Sequence, residues 1–472
     1  MPLRYCDTDY YKAFASSFAY EPTSCQDRLF HSLASFLSGD DGDIFVVNGY
    51  AGTGKTSALS AVINALLKMR FSCVLLAPTG RAAKVLSRMS GQKAITIHKG
   101  IYRQKGVGDN GWGQFTLAPN KARHSLFVVD EASLIGISEN RDDSHFGSGN
   151  LLEDLVSFVR SGDDCRLVLL GDSAQLPPVG MDSSPALNPY FMEFFGGVSY
   201  ETLDTVVRQA AESGILQNAT FLRRNLEADA LKLRCKGFPD MERLRGDELI
   251  DALVNAYDTY GEDETIVLCR SNKRAIRYNM GIRSMVQYKE ERLLRGDKLM
   301  IVKNCYQFLP EESPMDYMAN GDVAELVKIG DYEQRYGLNF AQAKLRFPDY
   351  DDLVVDAKIC LDTLESESAA LTAEQHNALY EGVSADYSHI GNKRKRYSMV
   401  REDPYYNALQ IKYAQAVTCH KAQGGQWDCV FIDCPFWADE FTSEDFKWLY
   451  TAFSRAVKKV YLVNFPDRYF VD

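Results

Sequence analysis

The stretch GYAGTGKT at residues 49–56 constrains this 472-residue chain more than any other. It follows a short apolar run, IFVV (44–47), and precedes apolar residues at i, i+3 and i+4 spacing through about Met69. A strand, a glycine-rich turn and a helix in that order make a loop whose backbone N–H groups converge on phosphate oxygens. Gly49, Gly52 and Gly54 keep side chains out of that convergence, and Lys55 falls where β- and γ-phosphates are held. The Thr56 hydroxyl falls where Mg2+ is ligated, and Thr53 and Ser57 complete the nucleotide-contacting stretch. A chain that opens an α/β unit this way is expected to continue as a parallel sheet with both faces covered by helices.

The pattern does continue. CVLLA (73–77), SLFVV (125–129) and RLVLL (166–170) join IFVV as four buried strand candidates separated by helical stretches. A second set begins at TIVLC (265–269), followed by a helix from Asn272 to about Gln287, and resumes at IKYAQAVT (411–418), CVFID (429–433) and KVYLV (459–463). Between them, DKLMIV (297–302), DVAELV (322–327) and DLVVDA (352–357) read as short β segments split by polar turns. Residues 362–402 carry helical or loose texture with no assigned place, and include the basic run Lys393–Arg396. Residues 100–125, with Gly-Trp-Gly among polar turn residues, suit a projecting β-hairpin.

Composition narrows the class. With 46% hydrophobic and 25% charged residues the chain reads as an ordinary globular protein, too long for one core. The net charge of −11 argues against a uniformly basic nucleic-acid coat, though a local basic channel needs only a few placed donors. Eleven scattered cysteines form no C-x-x-C pair and no zinc spacing, so reduced thiols in the cytoplasm are expected. The N-terminal MPLRYCDTDYYKAF carries acids where a signal peptide needs an apolar stretch, and no apolar run approaches the ~20 residues that span a bilayer.

Two further segments carry chemistry. VVDEAS (128–133) closes a buried strand with adjacent carboxylates, placing Asp130 to hold Mg2+ and Glu131 to polarise an attacking water. GDSAQLPPV (171–179) follows the next strand; Gln175 can hydrogen-bond a γ-phosphate or the lytic water.

GYAGTGKT, APTGRAA (77–83), TIHKGI (96–101), DEAS, GDSAQLPPV, VVRQ (206–209), AVTCHKAQGGQ (416–426) and YTAFSRA (450–456) together resemble superfamily 1 helicase motifs in their family order. The TIH, GDxxQLPPV and TxHKxQG variants resemble the RecD/Dda-like branch, superfamily 1B. The resemblance implies an α/β protein of two tandem RecA-like P-loop motor domains using ATP and Mg2+. The first would span 1–200 with a hairpin insertion at about 102–124; the second would comprise 201–294 and 409–472, with an SH3-like β-rich insertion at 295–408. It further implies that Arg208 and Arg455 act as arginine fingers and that Gln26 reads adenine. Pro78, Thr79, Arg81, Thr96 and His98 in the first domain, with Thr418, His420, Lys421 and Gln423 in the second, would grip a single strand without reading its sequence.

Trp112 in the hairpin either stacks on bases or packs back onto the domain, and Lys393–Arg396 either touches phosphates or is a solvated charge run. The expected function is 5′-to-3′ DNA unwinding by a monomer, in settings such as DNA repair or DNA recombination. Expected partners are single-stranded DNA, duplex junctions, and single-stranded-DNA-binding or repair proteins, with no membrane. An RNA helicase of the same superfamily, or an ATP-driven translocase or clamp within a larger complex, are the rival readings.

Overall fold

In the computed structural model, residues 5–39, 42–107, 113–137, 147–207, 212–310, 313–315, 317–436 and 440–471 are described. The first half supplies β1 (Ile44–Gly49), β2 (Ser72–Ala77), β3 (Ala94–Thr96), β4 (Tyr102–Val107) and β5 (Gly113–Leu117). It continues with β6 (Ser125–Val129), β7 (Arg166–Gly171) and β8 (Val198–Leu203). Six of these form a parallel sheet in the order β3-β2-β6-β7-β1-β8.

Strand alternation explains why the sheet is covered on both sides. Phe45 and Val47 pack with helices Asp7–Ser17, Ser24–Ser38, Lys55–Lys68 and Gly80–Ser90, whereas Ile44 and Val46 pack with helix Leu151–Arg160. The central strands were legible as apolar runs, but β3 and β8 were not anticipated. They are the two edges; β8 alternates half-buried and exposed positions and carries Ser199, Glu201 and Thr202. Strand β8 also runs past residue 200, the expected end of this unit.

The second half supplies β9 (Met241–Leu244), β10 (Thr265–Cys269), β11 (Lys298–Ile301), β12 (Val323–Arg335) and β13 (Leu338–Phe347). After these come β14 (Leu353–Cys360), β15 (Leu409–Tyr413), β16 (Ala416–Thr418), β17 (Trp427–Asp433) and β18 (Ala456–Val463). A second parallel sheet runs β16-β10-β17-β18-β9. Its alternation repeats the first: Val430 and Ile432 face one cluster, Cys429 and Phe431 the other.

Strands β11 to β15 close into a barrel. The run IKYAQAVT, read as one strand, divides here. Leu409–Tyr413 completes the barrel beside β11 and β14, and Ala416–Thr418 joins the second sheet beside β10. The segment at 362–402 also finds a place. Helix Ala373–Asp386 buries Leu379 and Val383, and helix Lys393–Glu402 buries Val400, against Leu338, Phe340 and Cys360 of the barrel strands. Strands β4 and β5 pair antiparallel as a hairpin leaving the first sheet. Trp112 lies outside the described residues.

Candidate nucleotide site and strand-binding cleft

The glycine-rich loop takes the backbone shape its composition expects. Gly52 and Gly54 have φ of 76° and 70°, values that suit glycine over any side-chain-bearing residue. A Cβ at Gly49 would also come within 2.8 Å of the Lys55 side chain. Gly54 caps helix Lys55–Lys68 with no side-chain cap bond, so Lys55, Thr56 and Ser57 form the helix start. Thr53 is fully buried, and its hydroxyl donates to the Tyr50 carbonyl at 2.8 Å.

Gln26 lies directly beneath this loop. Its Nε2 donates to the Thr53 carbonyl at 2.9 Å, and its Oε1 accepts from the Thr23 N–H at 2.9 Å. The buried amide is therefore engaged at both ends, fastening helix Ser24–Ser38 to the loop.

Asp130 and Glu131 follow β6 at the same end of the strands as the loop after β1. Asp130 is nearly buried, and burial together with the Glu131 charge raises its pKa to about 6, while Lys55 pulls the other way. Glu131 sits at φ 53°, a sparsely used conformation for a side-chain-bearing residue. Its Oε2 is buried with no hydrogen-bond partner among the described residues. An unpaired buried carboxylate oxygen beside a buried aspartate and Lys55 fits a site whose remaining partners are a cation and a water. Thr56 and Asp130 supply the hard oxygen ligands that Mg2+ takes, alongside phosphate oxygens.

The next strand brings the second half of the chain to this end. Asp172 is buried, and burial raises its pKa; it accepts from Ala174 N–H at 3.0 Å, Gln175 Nε2 at 3.4 Å and the Tyr450 hydroxyl at 2.6 Å. Arg455 is buried and donates from Nη2 to Gln175 Oε1 at 2.9 Å. Thr451 Oγ1 accepts from Leu176 N–H at 2.8 Å, and Gln423 Nε2 donates to the Leu176 carbonyl at 2.6 Å. Gln175 and Arg455, both proposed from sequence, are thus in direct contact; Arg208 lies outside the described residues.

A cleft of about 700 Å3 opens between the first sheet, the second sheet and the barrel. Of the residues expected to grip a strand, Pro78, Thr79, Arg81, Thr96, His98, His420, Lys421 and Gln423 line it. Thr418 instead caps the short helical turn Cys419–Ala422 just behind. Thr79 and Thr96 each begin a helix, their hydroxyls accepting from Ala82 N–H at 3.2 Å and Lys99 N–H at 3.3 Å. Burial lowers the pKa of His98 to about 4 and of Lys421 to about 8. Lys393–Arg396 opens the outer helix Lys393–Glu402, and none of its residues lines the cleft.

Several lining or interface residues were missed by sequence reasoning. Trp427 is one: the guanidinium of Arg81, itself expected in the cleft, stacks over its ring at 4.0 Å, joining the first sheet's loop to the second sheet. Tyr350, on the turn between β13 and β14, donates to Asp322, whose pKa burial raises to about 7. Tyr450 lies within YTAFSRA, but a tyrosine on an apolar helix face gives no sign of its partners. For Asp172 a signal existed: a carboxylate directly after the strand RLVLLG, three residues before Gln175.

An AAA domain model matches residues 31–236, and a UvrD-like helicase C-terminal domain model matches residues 413–463. These two matches, in this order along the chain, agree with the resemblance of its motifs to the RecD/Dda-like branch of superfamily 1B. Among relatives, the chain is similar to the ATP-dependent RecD2 DNA helicase of Deinococcus radiodurans, 26% identical over 87% of this chain and 46% of that protein. It is also similar to the ATP-dependent DNA helicase dda of Enterobacteria phage T4, 24% identical over 82% of this chain and 87% of the phage protein. The chain therefore spans about half of the Deinococcus relative and most of the phage one. Solved structures align loosely: Bacteroides Pif1 helicase in complex with ADP-AlF3 and ssDNA covers 96% of this chain and 95% of its own at 14% identity, TM-score 0.45. No helix among the described residues is long and apolar enough to cross a membrane.

Proposed function

We propose that the protein is an ATP-dependent DNA helicase that moves 5′ to 3′ along single-stranded DNA and separates the duplex ahead of it. One observation carries this reading. The contact of Gln175 with Arg455 joins the sheet bearing the glycine-rich loop to the sheet bearing the other wall of the cleft. A change at the phosphates is thereby a change in the distance between two gripping surfaces.

In this reading the two parallel sheets are RecA-like motor domains, the barrel is an SH3-like accessory domain, and the β4–β5 hairpin is the strand-separating pin. Lys55 and the loop amides hold the phosphates, with Thr53 and Ser57 flanking them. Thr56 and Asp130 would hold Mg2+, which when bound neutralises phosphate charge. Glu131 orients and polarises the attacking water through its unpaired oxygen. Arg455, with Arg208, offsets charge developing on the transferred phosphoryl group, and Gln175 links that event to Asp172. Gln26 holds the loop from below with one Nε2 hydrogen and one Oε1 lone pair, which leaves a second donor and a second acceptor for reading adenine. Thr79, Arg81, Thr96 and His98 grip the strand from one side, and His420, Lys421 and Gln423 from the other, on backbone contacts. The relatives named as DNA helicases favour DNA over RNA.

The test is ATP-dependent unwinding of matched duplexes with a 5′ or a 3′ single-stranded tail, on DNA and on RNA. Unwinding confined to 5′-tailed DNA is expected. Unwinding from the 3′ tail overturns the polarity, and strand-stimulated hydrolysis with no unwinding favours a translocase or clamp.

A further inference from the structure

The end of helix Ser443–Phe453 does more at the nucleotide site than deliver an arginine. Tyr450 is 1% exposed, and its hydroxyl is used in both directions. It accepts from the Ala51 N–H at 2.8 Å and donates to Asp172 Oδ2 at 2.6 Å. Ala51 is the third residue of GYAGTGKT, so a group from the second half of the chain occupies one amide of the phosphate-binding loop.

These bonds are links in a chain. Ala51 is joined to Tyr450, Tyr450 to Asp172, Asp172 to Gln175, and Gln175 to Arg455. Arg455 returns to the same helix through Nε, which donates to the Thr451 carbonyl at 3.3 Å. Three of these links, Ala51–Tyr450, Tyr450–Asp172 and Gln175–Arg455, cross between the two halves. Buried, mutually polarising networks of this kind have few partly satisfied arrangements, so one broken link is felt along the rest. Burial and the Asp172 charge both raise the Tyr450 pKa, so the phenol stays protonated and keeps its donor role.

We propose that Tyr450 is a positioning residue whose hydroxyl competes with the nucleotide's phosphates for the Ala51 N–H and thereby reports loop occupancy to Arg455. In the arrangement seen here the hydroxyl satisfies Ala51 and holds Asp172 and, through it, Gln175. When phosphates claim that amide, the hydroxyl is released, and the Asp172–Gln175–Arg455 links are free to rearrange around the filled site. This inference rests on the ATP-driven motor reading and assigns a coupling role to a residue outside the chemistry itself.

Tyr450→Phe removes the hydroxyl and keeps the ring. Equilibrium binding of a fluorescent, non-hydrolysable ATP analogue is measured beside ATP turnover with and without single-stranded DNA. The expected result is a split. The variant binds the analogue roughly fivefold more tightly, because the competing bond is gone. The stimulation of turnover by single-stranded DNA falls by about fivefold, because the link to Arg455 is lost. A merely structural role would weaken binding or leave it unchanged while lowering the unfolding temperature, and either result overturns the proposal. Should Tyr450→Phe fold poorly, Asp172→Asn weakens the same link from its other end and is expected to tighten analogue binding by a smaller factor; unchanged or weaker binding there also overturns it. If wild-type protein neither binds the analogue nor hydrolyses ATP, the motor reading itself fails, an outcome separate from equal behaviour of wild type and variant.

Discussion

The two parallel sheets are built alike and used differently. Both alternate apolar residues between two covered faces, and both end in loops that face a shared cleft. The first sheet holds the glycine-rich loop and the carboxylates Asp130, Glu131 and Asp172. Among the described residues, the second contributes reaching groups: Tyr450, Thr451, Arg455 and Gln423, each bonded to the loop or to residues 172–176. On the proposed reading, a site divided in this way binds a nucleotide on one body and senses it on the other. Placing the whole site on one sheet would give hydrolysis without movement.

That division can be broken most severely at its two ends. Lys55→Ala should lower ATP turnover by roughly a thousandfold or more, with nucleotide binding lost. Arg455→Ala should cost about a thousandfold in kcat while leaving nucleotide affinity largely intact, because the arginine comes from the other body. Steady-state turnover beside equilibrium nucleotide binding separates the two. If Arg455→Ala lost binding as completely as Lys55→Ala does, the two sheets would not divide the work as described.

Glu131→Gln sharpens the comparison within the first sheet. The amide keeps the shape but cannot polarise water, so turnover should fall by about a hundredfold with ATP still bound. Hydrolysis at the wild-type rate would remove Glu131 from its assigned role.

The cleft provides a smaller effect on the second sheet. Lys421→Ala should weaken single-stranded DNA binding and reduce the slope of log affinity against log salt by about 0.7, the share of one phosphate contact. A fluorescence titration at several salt concentrations reads both. An unchanged slope places Lys421 away from the backbone.

The smallest effect is a pH dependence. Lys421, with its pKa lowered to about 8 by burial, is cationic below that pH and neutral above it. Asp322, raised to about 7, is neutral below that pH and anionic above it. Both changes make the cleft less attractive to phosphate as pH rises, so strand affinity should fall a few-fold between pH 6.5 and 8.5. Affinity rising over that interval contradicts this account of the cleft walls.

Much of this was readable before folding. Central strands β1, β6, β7 and β10 carry apolar runs buried on both faces, and β2, β17 and β18 carry theirs over their buried parts, with the start of β18 exposed at Val457 and Lys458. Edge strands β3, β8 and β9 are short or partly exposed and lack that signature. The barrel was harder still. Strand β15 is separated from β14 by two helices, and its sequence runs with only two intervening residues into β16 of another sheet. Local periodicity does not tell one partner sheet from another.

The same boundary separates what each level decided about the site. By itself the sequence determined the glycine-rich loop between strand and helix, the paired carboxylates after β6 and the order of the helicase-like motifs. Each is a local pattern whose backbone conformation and chemistry come from neighbouring residues. Only the tertiary structure decided that Tyr450 meets Ala51 and Asp172, that Arg455 meets Gln175, and that Arg81 stacks on Trp427. Those pairs lie hundreds of residues apart, and their contacts exist because loops and a helix end from two separately covered sheets meet, a relation that hydrophobic periodicity within either sheet does not encode.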